Sequence, residues 1–420
     1  MLDGGEARRV HNSYRRAFAA RGAAAFVLAG FVARLGHFMT ILGIVFLVIA
    51  GTGSYGLAGA ASAGYALAYA AVSPLLSRLV DRHRQARVLG PATLANLVAR
   101  AGLLVAAWVH APGWSLVLLA GLAGASMPAV GSLVRARWSH LYESSPLLHP
   151  ALSVESVLDE TILIVAPLVV APLATYLDPS AGLVAALALT AIGLTALTVQ
   201  RGTEPPPPQI SRERGAALSV PGFGWLLATV GLVAAASTTI ELATVAFSQQ
   251  HHAAAASGPI LAAMAVSSAL CGLWYGAREW RHGPERRLVR TLVLLAIGAW
   301  GFVAATGIAT LFVAALLFGL TLAPIFIDGF TIVHRVVPAR HRTEGLTWLT
   351  TAVAAGIALG SALAGRTIDT WGTRAAFGSA AGCAALTVLV AVHAARRVRA
   401  VPDRGGGTRG TARRTGDCEE

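Results

Sequence analysis

The sequence predicts an all-α, polytopic membrane protein with about twelve transmembrane helices, and three observations predict it. From Gly22 to about His393 one apolar run follows another, each near the ~20 residues that a helix needs to cross a hydrocarbon core. Over 420 residues the chain is 55% hydrophobic and 13% charged, with a mean hydropathy of +0.64; soluble domains carry about 25% charged residues. The short connections between runs alternate between Arg-rich and Arg-poor. The first run is too long for a secretory signal and others follow at once, so no cleaved leader is expected.

The spans are expected at 23–48, 55–76, 88–109, 114–134, 153–176, 182–197, 222–247, 253–275, 288–306, 311–333, 345–363 and 375–392. An even number returns both termini to one side. All 33 basic residues are Arg, and 29 of them fall on that side: the segment before span one, the connections after spans two, four, six, eight and ten, and the tail. Only Arg366 and Arg374 lie opposite, while Arg34 and Arg100 fall inside spans. Arg-rich loops stay in the cytoplasm, so a multi-pass plasma-membrane protein with both termini cytoplasmic is expected.

This asymmetry also explains the net charge of +13 and the pI near 11. In a soluble chain those values suggest nucleic-acid binding. Here the Arg residues act as topology signals and face anionic headgroups of the bilayer, so no nucleic-acid partner is expected. Cys271, Cys383 and Cys418 have no metal-site or disulfide spacing and read as two core thiols and one in the tail. Gly51-Thr-Gly53-Ser-Tyr-Gly56 matches G-x-G-x-x-G literally, but without the strand–turn–helix context that dinucleotide binding needs. There is no P-loop, no H-E-x-x-H and no G-x-S-x-G, and His251-His252 reads as a loop pair. No enzyme activity, cofactor or metal is expected.

The chain divides in the middle. The longest polar stretch between spans, 203–220, holds Pro205 to Pro208 with Arg212, Glu213 and Arg214, and six spans lie on each side. The expected organisation is an N-terminal segment 1–22, a bundle 23–200, a central loop 201–220, a second bundle 221–395 and a disordered tail 396–420. The halves echo each other after their second spans. Ser77-Arg-Leu-Val-Asp81-Arg82-His-Arg84-Gln-Ala-Arg87 answers Gly276-Ala-Arg278-Glu-Trp-Arg281-His-Gly283-Pro-Glu-Arg286-Arg287. Repeated six-helix halves with a midplane site are a plan of secondary transporters.

Layout and loops together resemble the major facilitator superfamily, whose signature here runs Gly-x-x-x-Asp-Arg-x-Gly-Arg-Arg. Asp81, Arg82 and Arg87 match, with Ser77 and Arg84 in the glycine places; the second copy keeps Gly276, Arg281, Gly283, Arg286 and Arg287, with Trp280 where the acid would be. The resemblance implies two six-helix bundles and a cytoplasmic latch formed by Asp81, Arg82, Arg87, Arg281 and Arg286. Proton-driven exporters of the family carry a Gly-Pro element in span five, where this chain has Ala166-Pro167 and Ala171-Pro172. Their span-four Arg is missing, since Arg135 and Arg137 lie at the end of that span.

A charge at the bilayer centre costs about 2.5–3.5 kcal/mol even on insertion scales, so ionisable residues inside spans are the site candidates. Arg34, Glu160, Glu241 and Asp328 are the expected coupling or substrate residues. His37 shares a helix face with Arg34, Glu241 lies on a stripe with Ser237, Thr244 and Ser248, and Ser62, Tyr65, Tyr69 and Ser73 have helical spacing. Glu155 reads as a solvated acid at a helix start. Asp159 and Glu160 can pair with Arg34, Arg135 or Arg137, and Arg100, on the third helix, reads as a peripheral structural pair. The expected function is alternating-access transport of a small solute by a monomer. Proton-coupled export of an amphipathic, drug-like compound leads, because the spans offer few polar groups for a sugar. Metabolite uptake or export, or a non-transporting sensor, is the alternative.

Overall fold

The computed structural model describes residues 18–83, 85–142, 145, 147–205, 222–278, 280–337 and 342–398. Expectations on the N-terminal segment to residue 17, Arg84, the central segment 206–221 and the tail from 399 on, Cys418 included, fall outside the described residues. Among these residues twelve long helices follow one another: α1 (Ala23–Thr52), α2 (Tyr55–His83), α3 (Gln85–Trp108), α4 (Gly113–Ala125, then Val130–Leu141), α5 (Leu148–Pro172), α6 (Ala181–Val199), α7 (Phe223–Gln250), α8 (Ser257–Ala277), α9 (Pro284–Val303), α10 (Ile308–Val336), α11 (Arg342–Trp371) and α12 (Thr373–Val398). Eleven are long and apolar enough to span a bilayer. The exception is α9, whose first two turns carry Glu285, Arg286, Arg287 and Arg290 ahead of its apolar stretch.

The helices pack as two six-helix bundles. In the first, α1 packs on α5 and α6, α4 on α2 and α3, and α3 on α6. In the second, α7 packs on α11 and α12, α10 on α8 and α9, and α9 on α12. Each pair reappears six helices later, the signature of a repeated half. Contact between bundles follows the same exchange, α2 against α11 and α5 against α8. The repeat extends to the helix starts. Gly22 and Gly222, at φ +88° and +85°, precede α1 and α7, in the left-handed region that side chains with a Cβ resist.

Local sequence explains the irregular helices. Pro128 lacks a backbone N–H, and α4 breaks between Ala125 and Val130. The freed carbonyl of Ala123 accepts a hydrogen bond from Asn96 Nδ2 at 2.7 Å. After Pro172, α5 continues as a π-helical turn over Leu173–Leu177. The expected loop after span two is instead helical almost throughout: Asp81 and Arg82 sit in the last turn of α2, and Arg87 in the first turn of α3.

The outer surface is apolar. Leu94, Val98, Leu273, Ile297 and Leu389 are exposed mid-helix, as lipid contact requires and as a soluble protein avoids. Exposed Trp108, Trp114, Tyr176 and Trp371 ring the Arg-poor end, while Trp225 and Trp274 lie toward the Arg-rich end; aromatic residues settle at such interfaces.

Candidate functional site

Most ionisable groups within the helices are gathered in two clusters, both toward the Arg-rich end. In the first bundle, Arg34 of α1 reaches α5 through both terminal nitrogens, Nη2 to Glu155 Oε2 and Nη1 to Asp159 Oδ1, each at 2.6 Å. Arg135 of α4 binds the other Asp159 oxygen at 2.6 Å, and Trp138 Nε1 donates to Glu155 Oε1 at 3.0 Å. Glu155 is fully buried, which overturns its reading as a solvated helix-start acid. The α5 helix begins at Leu148, five residues before the expected span, so Glu155 enters the protein interior two turns in. Its two oxygens take an Arg and an indole N–H instead of water. One helical turn of spacing brings Glu155 and Asp159 onto the face that meets α1 and α4.

In the second bundle, Asp328 of α10 is fully buried between Arg287 Nη2 of α9, at 2.6 Å, and the Tyr275 hydroxyl of α8, at 2.7 Å. Arg335 of α10 meets Glu285 of α9 at 3.3 Å. The tryptophan that stands in the acid's place in the second loop has its own function. Trp280 donates from Nε1 to Tyr275 O at 2.9 Å, and its ring lies 5.3 Å from the Arg278 guanidinium and 5.5 Å from that of Arg287. It thereby braces the Arg287–Asp328 pair.

Three intramembrane charges have no ion pair among the described residues. Glu160, half-buried, stands one residue past the α5 cluster and turns about 100° away from it. Glu241, midway along α7, is half-buried, and along its stripe the Ser237, Thr244 and Ser248 hydroxyls have no hydrogen-bond partner among the described residues. Arg100 is fully buried, yet it does not form the peripheral pair expected of it. It reaches inward to Thr190 Oγ1 at 2.9 Å and to the Tyr65 hydroxyl at 3.2 Å. That hydroxyl accepts from Arg100 and also lies 2.7 Å from His37 Nδ1. A chain of polar groups thus crosses α3, α2 and α1, with the Tyr69 ring 4.7 Å from the imidazole.

Arg137, also fully buried, closes the end of α6 by donating to Leu197 O at 2.8 Å and Gln200 O at 3.0 Å, carbonyls that a helix C-terminus leaves unsatisfied. At the Arg-poor end, Asp369 of α11 reaches across to the first turn of α2. Its Oδ1 accepts from Tyr55 N at 2.8 Å, and its Oδ2 from Gly56 N at 2.6 Å and Ser54 Oγ at 2.8 Å.

The chain matches the family model of the Major Facilitator Superfamily over residues 26–325 and again over 226–415. It belongs to the Major Facilitator Superfamily. No curated protein matches it, but solved structures do. A point mutant of the nucleoside transporter NupG aligns with a TM-score of 0.72 at 14% identity, covering 88% of this chain and 98% of that one. A bacterial homologue of the iron transporter ferroportin in an inward-facing state aligns with 0.70 at 13% identity, covering 90% and 99%. A point mutant of the peptide transporter POT aligns with 0.67 at 14% identity, covering 90% and 95%. At such identities the likeness is one of fold. Like the superfamily, the chain is a membrane transporter of a small solute and not an enzyme.

Of the residues that the superfamily signature places in the cytoplasmic latch, Arg82, Arg87, Arg281 and Arg286 have exposed side chains at the Arg-rich end. The side chain of Asp81 lies outside the described residues. Of the four intramembrane candidates, Arg34 and Asp328 are engaged in ion pairs within their own bundles, while Glu160 and Glu241 stand without one. Asp369 was not among the sequence candidates. Its signal is faint: a lone acid at the end of an apolar run, three residues before Gly372.

Proposed function

We propose that this member of the superfamily is a proton-coupled exporter of a small amphipathic compound, with Glu241 as the proton carrier. It acts as a monomer in the plasma membrane, both termini and the Arg-rich end in the cytoplasm, as the Arg asymmetry supports. The observation that carries the coupling is the isolation of Glu241. The fully buried intramembrane acids, Glu155 and Asp328, have cationic partners at 2.6 Å, and a proton bound there would break an ion pair. Glu241 has no such partner among the described residues, so a proton can bind and leave there without breaking an ion pair. Glu160, the other acid without an ion pair, is the second candidate carrier. Arg34 and Asp328 hold helices together within a bundle, and Asp81, Arg82, Arg87, Arg281 and Arg286 form the latch between bundles at the cytoplasmic side.

The test is a screen of amphipathic compounds in proteoliposomes under an imposed pH gradient, with Glu241→Gln beside the parent protein. Accumulation should follow the gradient in the parent and vanish in the variant, with downhill exchange retained. Full gradient-driven transport by Glu241→Gln would overturn Glu241 as the carrier, and if Glu160→Gln then abolishes it, the second acid takes its place.

A further inference from the structure

Alternating access requires that the two bundles separate at one end while they close at the other. At the Arg-poor end, exterior in the orientation proposed above, four hydrogen bonds cross between the bundles. Three of them converge on one carboxylate. Asp369, near the end of α11, accepts from the backbone N–H groups of Tyr55 and Gly56 and from Ser54 Oγ, while Ser54 Oγ in turn accepts from Leu57 N at 3.1 Å. The opening N–H groups of a helix have no partner within it, and its N-terminus favours negative charge. One bundle thus caps a helix of the other. Beside this cap, Tyr55 Oη donates to Gln249 Oε1 at 2.6 Å.

Beneath the cap the backbones touch. Gly59 lies against Ser361 O and Gly365 against Tyr55 O, each too close to admit a Cβ. The second seam closes at the same end, where a Cβ on Gly258 of α8 would meet Pro167 O of α5 at 2.7 Å and the Ala171 methyl at 3.1 Å. Ser361 and Ala171 are fully buried.

We infer that Asp369 is the exterior gate residue, holding the two bundles together at that end by capping α2 from α11. Opening to the exterior must uncap α2, and water then takes over its first-turn N–H groups and the carboxylate. Asp369 therefore sets how readily the exterior face opens, without touching the transported solute.

The inference rests on alternating access but not on the identity of solute or coupling ion, and its test reads labelling instead of transport. In a chain with Cys271, Cys383 and Cys418 replaced by Ser, a reporter is placed in each seam, Ser361→Cys for α2–α11 and Ala171→Cys for α5–α8. A membrane-impermeant maleimide is applied to intact cells. With Asp369 present both reporters should react slowly. Asp369→Ala should speed both by about tenfold, the shift in a two-state equilibrium that corresponds to losing one net charge-assisted hydrogen bond. Ser54→Ala, on an exposed connection, removes one of the three bonds and should shift both in the same direction by less. Unchanged rates in these variants would overturn the gate. So would faster labelling confined to Ser361→Cys, because fraying of α2 alone does not part the second seam. Failure of proton coupling at Glu241 would leave these rates untouched.

Discussion

Arg34 on α1 and Glu155 on α5 lie 2.6 Å apart, with their side chains 5% and 0% exposed. The pair ties the first helix of the bundle to the fifth, and Asp159 and Arg135 extend the tie to α4. Two cations and two carboxylates meet there, so the cluster carries no net charge into the protein interior. A cluster so balanced is suited to holding helices together, because losing Arg34 leaves the buried Glu155 without its cation.

Removing one partner should therefore cost more than removing both. Arg34→Met should destabilise the folded protein by about 3–5 kcal/mol, the usual cost of stranding a buried charge, because Glu155 meets no other cation among the described residues. Arg34→Met together with Glu155→Gln should recover part of that loss. Thermal unfolding of the purified protein in detergent, arranged as a double-mutant cycle, checks this; additive single effects would mean that the two residues are uncoupled.

The second bundle offers the parallel case. Asp328→Asn leaves Arg287 without its carboxylate, so the abundance and thermal stability of the protein should fall. Glu241→Gln should leave both near the parental level. Comparing the two variants by membrane abundance and unfolding temperature separates a structural acid from a carrier; normal abundance of Asp328→Asn would return Asp328 to the list of transport residues.

At the proposed cytoplasmic latch, Asp81→Asn removes charge and keeps volume. Transport should drop strongly with insertion and abundance unchanged, because each charge-assisted hydrogen bond lost, worth about 1.5–3 kcal/mol, biases the inward–outward equilibrium. Transport at the parental rate would leave Asp81 as an ordinary acid at the end of a helix.

Orientation is checked most directly by reporter fusions. Fusions at Arg84, near Pro206 and in the tail should read cytoplasmic, and fusions at Gly53 and Ser180 exterior. An exterior tail would contradict the even number of spans.

How much of this was legible in the sequence follows from the range of each interaction. The twelve spans were readable because apolar length is a local property, set by the cost of an unsatisfied backbone in lipid. Even there, α9 shows its limit: its charged first turns are helical because Arg287 and Glu285 find partners on α10, which no window along the chain reveals. The repeat after α2 and α8 was visible in its Arg residues, and the family followed from it. Pairing was not visible. Glu155 resembled a solvated helix-start acid, since its sequence neighbours are those of a helix start; only the approach of α1 and Trp138 buries it. Arg100 resembled a peripheral charge, because nothing in its own helix shows that it reaches Tyr65 and Thr190. Asp369 could not be singled out at all, because its partners are backbone N–H groups more than 300 residues away, at a helix end on the other bundle. By itself, the sequence determined which segments leave water and that the Arg residues gather at one end of the helices, because burying apolar surface and stranding charge are decided residue by residue. Tertiary structure alone decided which intramembrane charges neutralise each other and which, like Glu241, meet no opposite charge among the described residues, because that depends on distances between helices far apart in the chain.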